Sequence, residues 1–362
     1  DPVRSGVKDA LDVARGAGIS VKVVTGDYRW TAEHVLSEIG IKITSPATQI
    51  IEGEELSHMS VEEVTQKVKD VVLFARVTPS QKLKIVEALK KRGEVVALVG
   101  DGVNDAPALK RADIGIVVGE ASDVARETAD LVLLDSNFAT IVSAVEEGRG
   151  IFITIQKVVT YLLSDTFAEV ILILLGLLVG VPLPLTAAQI LWINLVTDTF
   201  PTLALTMEPK EKKLLARPPI SPDLPILSRS IVGFMMVVSV SSGVICFLLF
   251  LYLLGTGVSL ATARLIVFTA FSLKSLFFVF SLRERNRMLW QTSPISNLYL
   301  LAAVGISVLL LLAALYVSVF HTLLDTRMLT LIEWGWVIGA SVVILLLIEG
   351  AKWVRYLLLR RA

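Results

Sequence analysis

Cysteine is nearly missing from this sequence of 362 residues: Cys246 stands alone, inside an apolar run. One thiol excludes a disulfide framework and a cysteine metal centre, and leaves that residue the part of a small buried hydrophobe. Net charge is missing as well, with 34 Lys and Arg against 34 Asp and Glu. The opening "DPVRSGVKDA" has no initiating methionine and no signal-peptide pattern, so it reads as the interior of a longer protein. An EF-hand is excluded because the Asp-x-Asp-x-Asp-Gly spacing does not occur.

What is present divides sharply. Residues 1–157 are rich in Asp, Glu, Lys and Arg and read as a soluble α/β unit, whereas from 158 onward long apolar runs recur. Each run is about 20 residues, enough to cross a bilayer as a helix. Six spans are expected, at 158–180, 186–207, 229–254, 262–282, 296–319 and 335–358. Lys210, Lys212, Lys213, Arg217, Arg283, Arg285, Arg287, Lys352, Arg355, Arg360 and Arg361 fall on one side, against Arg264 and Arg327 on the other. Basic residues gather on the cytoplasmic side, which places the soluble unit and the carboxyl terminus in the cytoplasm.

Charged and amide residues interrupt the first two spans. "YLLSDTFAEV" places Asp165 and Glu169 four apart, on one helix face, with Thr166 beside them, and "ILWINLVTDTFP" does the same for Asn194 and Asp198, with Thr197 adjacent. Each carboxylate costs at least about 2.5–3.5 kcal/mol at the bilayer centre unless it faces protein or water. Two such faces in consecutive spans point to a shared polar pocket. Its oxygen ligands suit hard cations such as Ca²⁺ or Mg²⁺. Helix-packing glue is the competing reading, and it accounts better for a lone threonine than for paired carboxylates.

In the soluble part, "GISVKVVTGD" reads as a strand over 21–24 ending in Thr25-Gly26-Asp27, and "GEVVALVGDGVND" as a second ending at Gly100-Asp101. "ADIGIVVG" and "ADLVLLD" add short β-rich runs, and 80–92 has a helical pattern. Strand–helix alternation implies a parallel sheet with helices on both faces and ligands at the carboxyl ends of the strands. Thr25, Asp27, Asp101, Asn104 and Asp105 would gather at that rim, joined by Lys82. Such a set suits Mg²⁺ with a phosphoryl group: Asp holds the metal, while Lys and Thr engage phosphate oxygens.

The stretches "VVTGD", "FARVTPSQKLKIVEALK", "GDGVNDAPALK", "LWINLVTD" and "RPP" resemble the P-type cation-transporting ATPases, and among them the calcium-pump-like branch. The resemblance implies a haloacid-dehalogenase-like (Rossmann-like) partial phosphorylation domain over 1–157. An all-α bundle of six transmembrane helices over 158–362 would follow. It also implies roles: Thr25, Gly26, Asp27 and Lys82 at an aspartyl phosphate, Asp101 on Mg²⁺, and Asn104 and Asp105 ordering that site. Glu169, Asn194, Thr197 and Asp198 would ligate the transported ion, with Thr166, Asp165 and Lys274 nearby. ATP is the implied substrate and Ca²⁺ the implied cargo, with Mn²⁺, Na⁺ or H⁺ as alternatives. A non-catalytic membrane subunit derived from a pump is the competing class.

The phosphorylated aspartate of that family, in an Asp-Lys-Thr-Gly-Thr motif, does not occur in this sequence. The actuator domain, the nucleotide domain and the first four helices are likewise outside it. The chain alone is therefore expected to be inactive, with the lipid bilayer and the amino-terminal part of a pump as partners and no nucleic acid. A multi-pass protein of a bacterial-type cell membrane is expected. Smaller departures are Val99 for the usual Thr, Thr166 for the usual Asn, and Lys274 where two-site calcium pumps carry a glutamate ligand. An ammonium beside Glu169 and Asp198 would leave one net negative charge there, which suits one divalent ion per cycle rather than two.

Overall fold

The computed structural model describes residues 6–135, 137–209, 214–222, 224–284, 288–291 and 293–361. Lys210, Lys212, Lys213, Arg285 and Arg287 lie outside the described residues, as do the side chains of Arg355, Arg360 and Arg361. The chain divides into two units, Asp1–Arg149 with Lys212–Asp223, and Gly150–Glu211 with Leu224–Ala362. The division falls near the expected boundary at 157, but the first unit also takes in a later segment. Arg149 explains that addition: its guanidinium donates to the carbonyls of Leu214 (3.0 Å), Arg217 (2.8 Å) and Ala17 (2.8 Å).

In the first unit helix α1 (Val7–Gly16) precedes strand β1 (Val23–Val24), and α2 (Arg29–Glu38) leads towards β2 (Ile50–Glu52) and β3 (Leu73–Ala75). These strands form a parallel sheet in the order β1-β3-β2. Period-two alternation along β3 sends Leu73 and Ala75 to one face, packed with Leu11, Ala32 and Leu36, and Phe74 to the other, packed with Leu56, Val64 and Ile85. Burial on both faces is why such strands read as unbroken apolar runs. Helix α3 (Pro79–Lys91) then begins with proline at its first position, where a missing N–H costs nothing. Gln81 Oε1 accepts the Thr78 N–H at 2.9 Å, and Gly93, at φ +83°, follows the helix end.

Strands β4 (Ala97–Gly100), β5 (Ile114–Val118) and β6 (Leu131–Leu133), with α4 (Ala106–Arg111) between the first two, make a second parallel sheet in the order β4-β5-β6. The expected single sheet is thus two three-stranded sheets. Among the described residues β1 is paired only with β3 and β4 only with β5. Val95 and Val99, flanking and within β4, remain 59% and 45% exposed. A parallel strand buried on both faces would hide such residues.

The second unit is helical, and the chain is a multi-pass membrane protein. Among the described residues, five helices are long and apolar enough to cross a bilayer. They lie in α5 (Phe138–Val179), α8 (Arg229–Gly255), α9 (Leu260–Leu282), α10 (Leu298–Tyr316) and α11 (Leu331–Arg361). α5 starts at Phe138, well before the expected 158. The expected span over 186–207 is not one continuous α-helix: it is α6 (Ala187–Trp192), a widened turn over Ile193–Thr197, and α7 (Thr199–Thr206). Asp198 N–H reaches back five residues to the Ile193 carbonyl, at 3.0 Å. Pro201 has no N–H to offer Thr197, and the Thr197 carbonyl is taken instead by Ser307 Oγ at 3.2 Å. Widened turns of this kind concentrate at functional sites.

Helix α9 is the most enclosed of the five, with 83% of its most apolar stretch buried. Its length is therefore sheathed by protein rather than lipid, which is where a membrane lysine such as Lys274 can persist. Two of the basic residues assigned to the cytoplasmic surface are spent inside the protein. Arg283, 3% exposed, pairs with Glu208 (2.9 Å), and Lys352, 5% exposed, donates to the Ser281 carbonyl (2.8 Å) beside Glu349.

Candidate functional site

The soluble cluster is assembled from the ends of strands. Past β1, Thr25-Gly26-Asp27 form a three-residue turn: the Thr25 hydroxyl donates to Asp27 Oδ2 at 3.0 Å and accepts the Asp27 N–H at 3.1 Å. The turn is stitched to the segment after β3, where Arg76 N–H donates to the Asp27 carbonyl (3.0 Å) and Val77 N–H to the Thr25 carbonyl (3.0 Å). Arg76 holds φ at +53°, a conformation unusual for a residue with a side chain, and its guanidinium lies 4.5 Å from the Tyr28 ring centre. Gly26 and Asp27 are exposed.

Past β4, Asp101 and Asn104 are exposed while Asp105 is 6% exposed. Lys82, on α3, reaches Asp105 Oδ1 at 2.6 Å. Gly100 makes this possible, because a Cβ there would stand 2.9 Å from Asp105 Oδ2. Lys82 and Asp105 therefore meet as expected. Thr25 and Asp27 meet each other, but among the described residues no hydrogen bond joins them to Lys82, Asp101, Asn104 or Asp105. Mg²⁺ takes one or two carboxylates together with phosphate oxygens and water. Asp101, exposed and without a side-chain partner among the described residues, fits as a single protein ligand in such a set. No group of three or more His, Cys, Asp or Glu able to hold a metal occurs among the described residues.

The membrane cluster forms two hydrogen-bonded groups. In the first, Asn194 Nδ2 donates to both Glu169 oxygens, at 3.1 and 2.9 Å, and to the Ile190 carbonyl. In the second, Lys274 forms an ion pair with Asp165 Oδ1, and both side chains are 1% exposed. The ammonium also lies 4.4 Å from the Phe271 ring centre. Ser275 Oγ stands 2.6 Å from Asp165 Oδ2 and 2.6 Å from Asp198 Oδ1, and Tyr161 OH lies 2.7 Å from Ser275 Oγ and 3.1 Å from Asp198 Oδ1.

Three expectations change. Lys274 pairs with Asp165 and not with Glu169, because α9 presents it to the turn of α5 that carries Asp165. Thr166 is exposed, since one residue along a helix turns it about 100° from the face shared by Asp165 and Glu169. Asp198 bonds to Ser275 and Tyr161, while Asn194, four residues earlier, bonds to Glu169. Thr197 is 1% exposed and its hydroxyl has no partner among the described residues, as a group awaiting a ligand would be.

Tyr161 and Ser275 were not singled out from sequence. Tyr161 sits at the same four-residue interval as Asp165 and Glu169, which is the signal that could have found it. Ser275 adjoins Lys274 but carries no charge, and nothing in an apolar helix marks one serine above another.

A widened transmembrane turn, buried carboxylates and an α/β unit with polar strand ends thus stand together in one chain. Among known families, "cation transporting ATPase, C-terminus" matches residues 182–354, and "haloacid dehalogenase-like hydrolase" matches residues 1–113. The chain is 38% identical over 353 residues to the "Calcium-transporting ATPase" of Bacillus subtilis (strain 168), covering 97% of this chain and 39% of that protein. It is 38% identical over 337 residues to the "Probable cation-transporting ATPase F" of Mycobacterium bovis (92% of this chain, 37% of that protein). With the human "Calcium-transporting ATPase type 2C member 1" the identity is 35% over 355 residues (97% and 38%). The chain belongs to the P-type cation-transporting ATPases and corresponds to their carboxyl-terminal part. It spans about two fifths of the length of these relatives.

Proposed function

We infer that the chain is the carboxyl-terminal portion of an ATP-driven pump that exports Ca²⁺ from the cytoplasm through an aspartyl-phosphate cycle. The observation that carries this reading is the set of buried carboxylates Asp165, Glu169 and Asp198 on transmembrane helices, with the Thr197 hydroxyl, beside Asp198 in sequence, lacking a partner among the described residues. Buried acids in spans mark ion pathways. Their separation into two groups, neither a complete ion cage, supports further ligands from helices outside this chain. The open edges of β1 and β4 and the exposed Val95 and Val99 likewise support a strand supplied from outside it.

In the cycle so read, the acceptor aspartate belongs to the missing part. Lys82, steadied by Asp105, and the Thr25 hydroxyl would neutralise and hydrogen-bond the phosphoryl oxygens. Asp101 would hold Mg²⁺, which would offset the phosphate charge. Glu169, Asn194, Thr197 and Asp198 would load and release the cation, with the soluble unit on the cytoplasmic side.

The test is reconstitution of the intact pump in lipid vesicles with MgATP and labelled Ca²⁺. Uptake together with an acid-stable phosphoenzyme is expected, both lost in Asp198→Asn. This chain alone should form no phosphoenzyme. Acid-stable label on the isolated chain, or wild-type uptake by Asp198→Asn, would overturn the reading.

A further inference from the structure

Asp165 looks in sequence like a third ion-binding carboxylate, but both its oxygens are committed to α9: Oδ1 to Lys274 and Oδ2 to Ser275. The ammonium of Lys274 is buried, with 1% of the residue exposed and the Phe271 and Phe278 ring centres 4.4 and 5.8 Å away. A buried ammonium in such surroundings requires a counter-charge, and Asp165 supplies it. Asp198 stands on the far side of Ser275, whose oxygen is 2.6 Å from each carboxylate, and Tyr161 braces the same Asp198 oxygen. Among the described residues Lys274 makes its ion pair with Asp165 and none with Asp198 or Glu169.

We propose that Asp165 is a positioning residue and not a ligand of the transported cation. It holds Lys274 away from Asp198 and Glu169, with Ser275 as the spacer, so that these two carboxylates stay available to the cargo. The pair is internally neutral, and the two negative charges left over match one divalent cation. Without Asp165, the ammonium would seek the next anions within reach, Asp198 and Glu169, and compete with the cargo for them. The proposal rests on the pump reading above.

A charge-cancelling pair of variants tests it, using Ca²⁺ as the probe and the intact pump in vesicles. Asp165→Asn should raise the apparent KM for Ca²⁺ at least about tenfold while kcat at saturating Ca²⁺ stays within about twofold. Asp165→Asn combined with Lys274→Gln removes both charges and should bring KM back to within about threefold of wild type. Ser275→Ala should raise KM, and Ser275→Thr, which keeps the hydroxyl, should restore it. Ser272→Ala is the control, since Ser272 is equally buried on the same helix and its hydroxyl has no partner among the described residues. A double variant as weak as Asp165→Asn would make Asp165 a ligand and overturn the proposal, as would a wild-type KM with lowered kcat in Asp165→Asn. Should Asp165→Asn fail to accumulate, the double variant decides alone: a KM within about threefold of wild type supports the proposal, and a KM raised beyond that overturns it. A wild-type pump without Ca²⁺ uptake would instead refute the pump reading, and the proposal with it.

Discussion

Gly100→Ala is the smallest change that probes the soluble cluster. The added Cβ would meet three atoms of one side chain: Asp105 Oδ2 at 2.9 Å, Cβ at 3.0 Å and Cγ at 3.2 Å. Asp105 cannot simply swing aside, because it is 6% exposed and its other oxygen is held by Lys82 at 2.6 Å. Overpacking of a filled site costs about 1–3 kcal/mol. The upper half of that range is expected here, because relief of the clash also loosens a charge-assisted hydrogen bond. Urea titration of the detergent-solubilised chain, followed by hydrogen exchange of the β4 and β5 amides, gives the cost. A double-mutant cycle with Asp105→Ala supplies the mechanism: truncation removes two of the three close atoms, so Gly100→Ala should cost at least about 0.5 kcal/mol less in that background. Additive costs, or a single-variant cost below about 0.5 kcal/mol, would refute the packing argument.

Thr197→Val removes a buried hydroxyl that has no partner among the described residues, so it should leave chain stability unchanged or raise it by up to about 1 kcal/mol. The same variant should weaken Ca²⁺-dependent uptake by the intact pump, and a variant that leaves uptake unaltered refutes Thr197 as a ligand. Gly243→Ala places a Cβ 2.8 Å from the Ala168 carbonyl and 2.8 Å from Ile171 Cγ2, on facing turns of α8 and α5. It should cost about 1–3 kcal/mol and lower Tm in detergent, and an unshifted Tm would contradict the close approach. Burial pushes the Asp113 carboxyl up, but Lys90 at 2.7 Å and the Val96 N–H at 2.9 Å outweigh it and hold it below its ordinary value. A folded pKa below the unfolded value of about 3.9 gives stability that is present above that value and lost as pH falls through the folded one. Asp113→Asn should therefore cost up to about 1 kcal/mol at neutral pH, with the gap to wild type closing in acid, as paired urea titrations would show.

Much of this protein was legible in its sequence for physical reasons. Apolar runs of bilayer length can only be helical in lipid, because each backbone N–H must find a partner within its own segment. The alternation around "VVTGD" and "GDGVNDAPAL" fixed short parallel strands with polar ends, and Lys82 did meet Asp105. The break over 193–197 had its signal in Pro201, although a count of apolar residues passes over it. The two-sheet arrangement had no such signal, because β1 has only two residues and its apolar run would fit either sheet.

The sequence by itself determined which residues could carry charge into the membrane: Asp165, Glu169, Asp198 and Lys274 sit within apolar segments whatever the packing. Only the tertiary structure decided how those charges pair. Helical periodicity places Asp165 and Glu169 on one face, yet it says nothing of which neighbouring helix faces each turn. The packing of α9 brings Lys274 and Ser275 to Asp165, while Asn194 meets Glu169. Helix faces follow from 3.6 residues per turn, which is local. Partners across helices follow from rotation and depth of packing, which depend on every side chain between them.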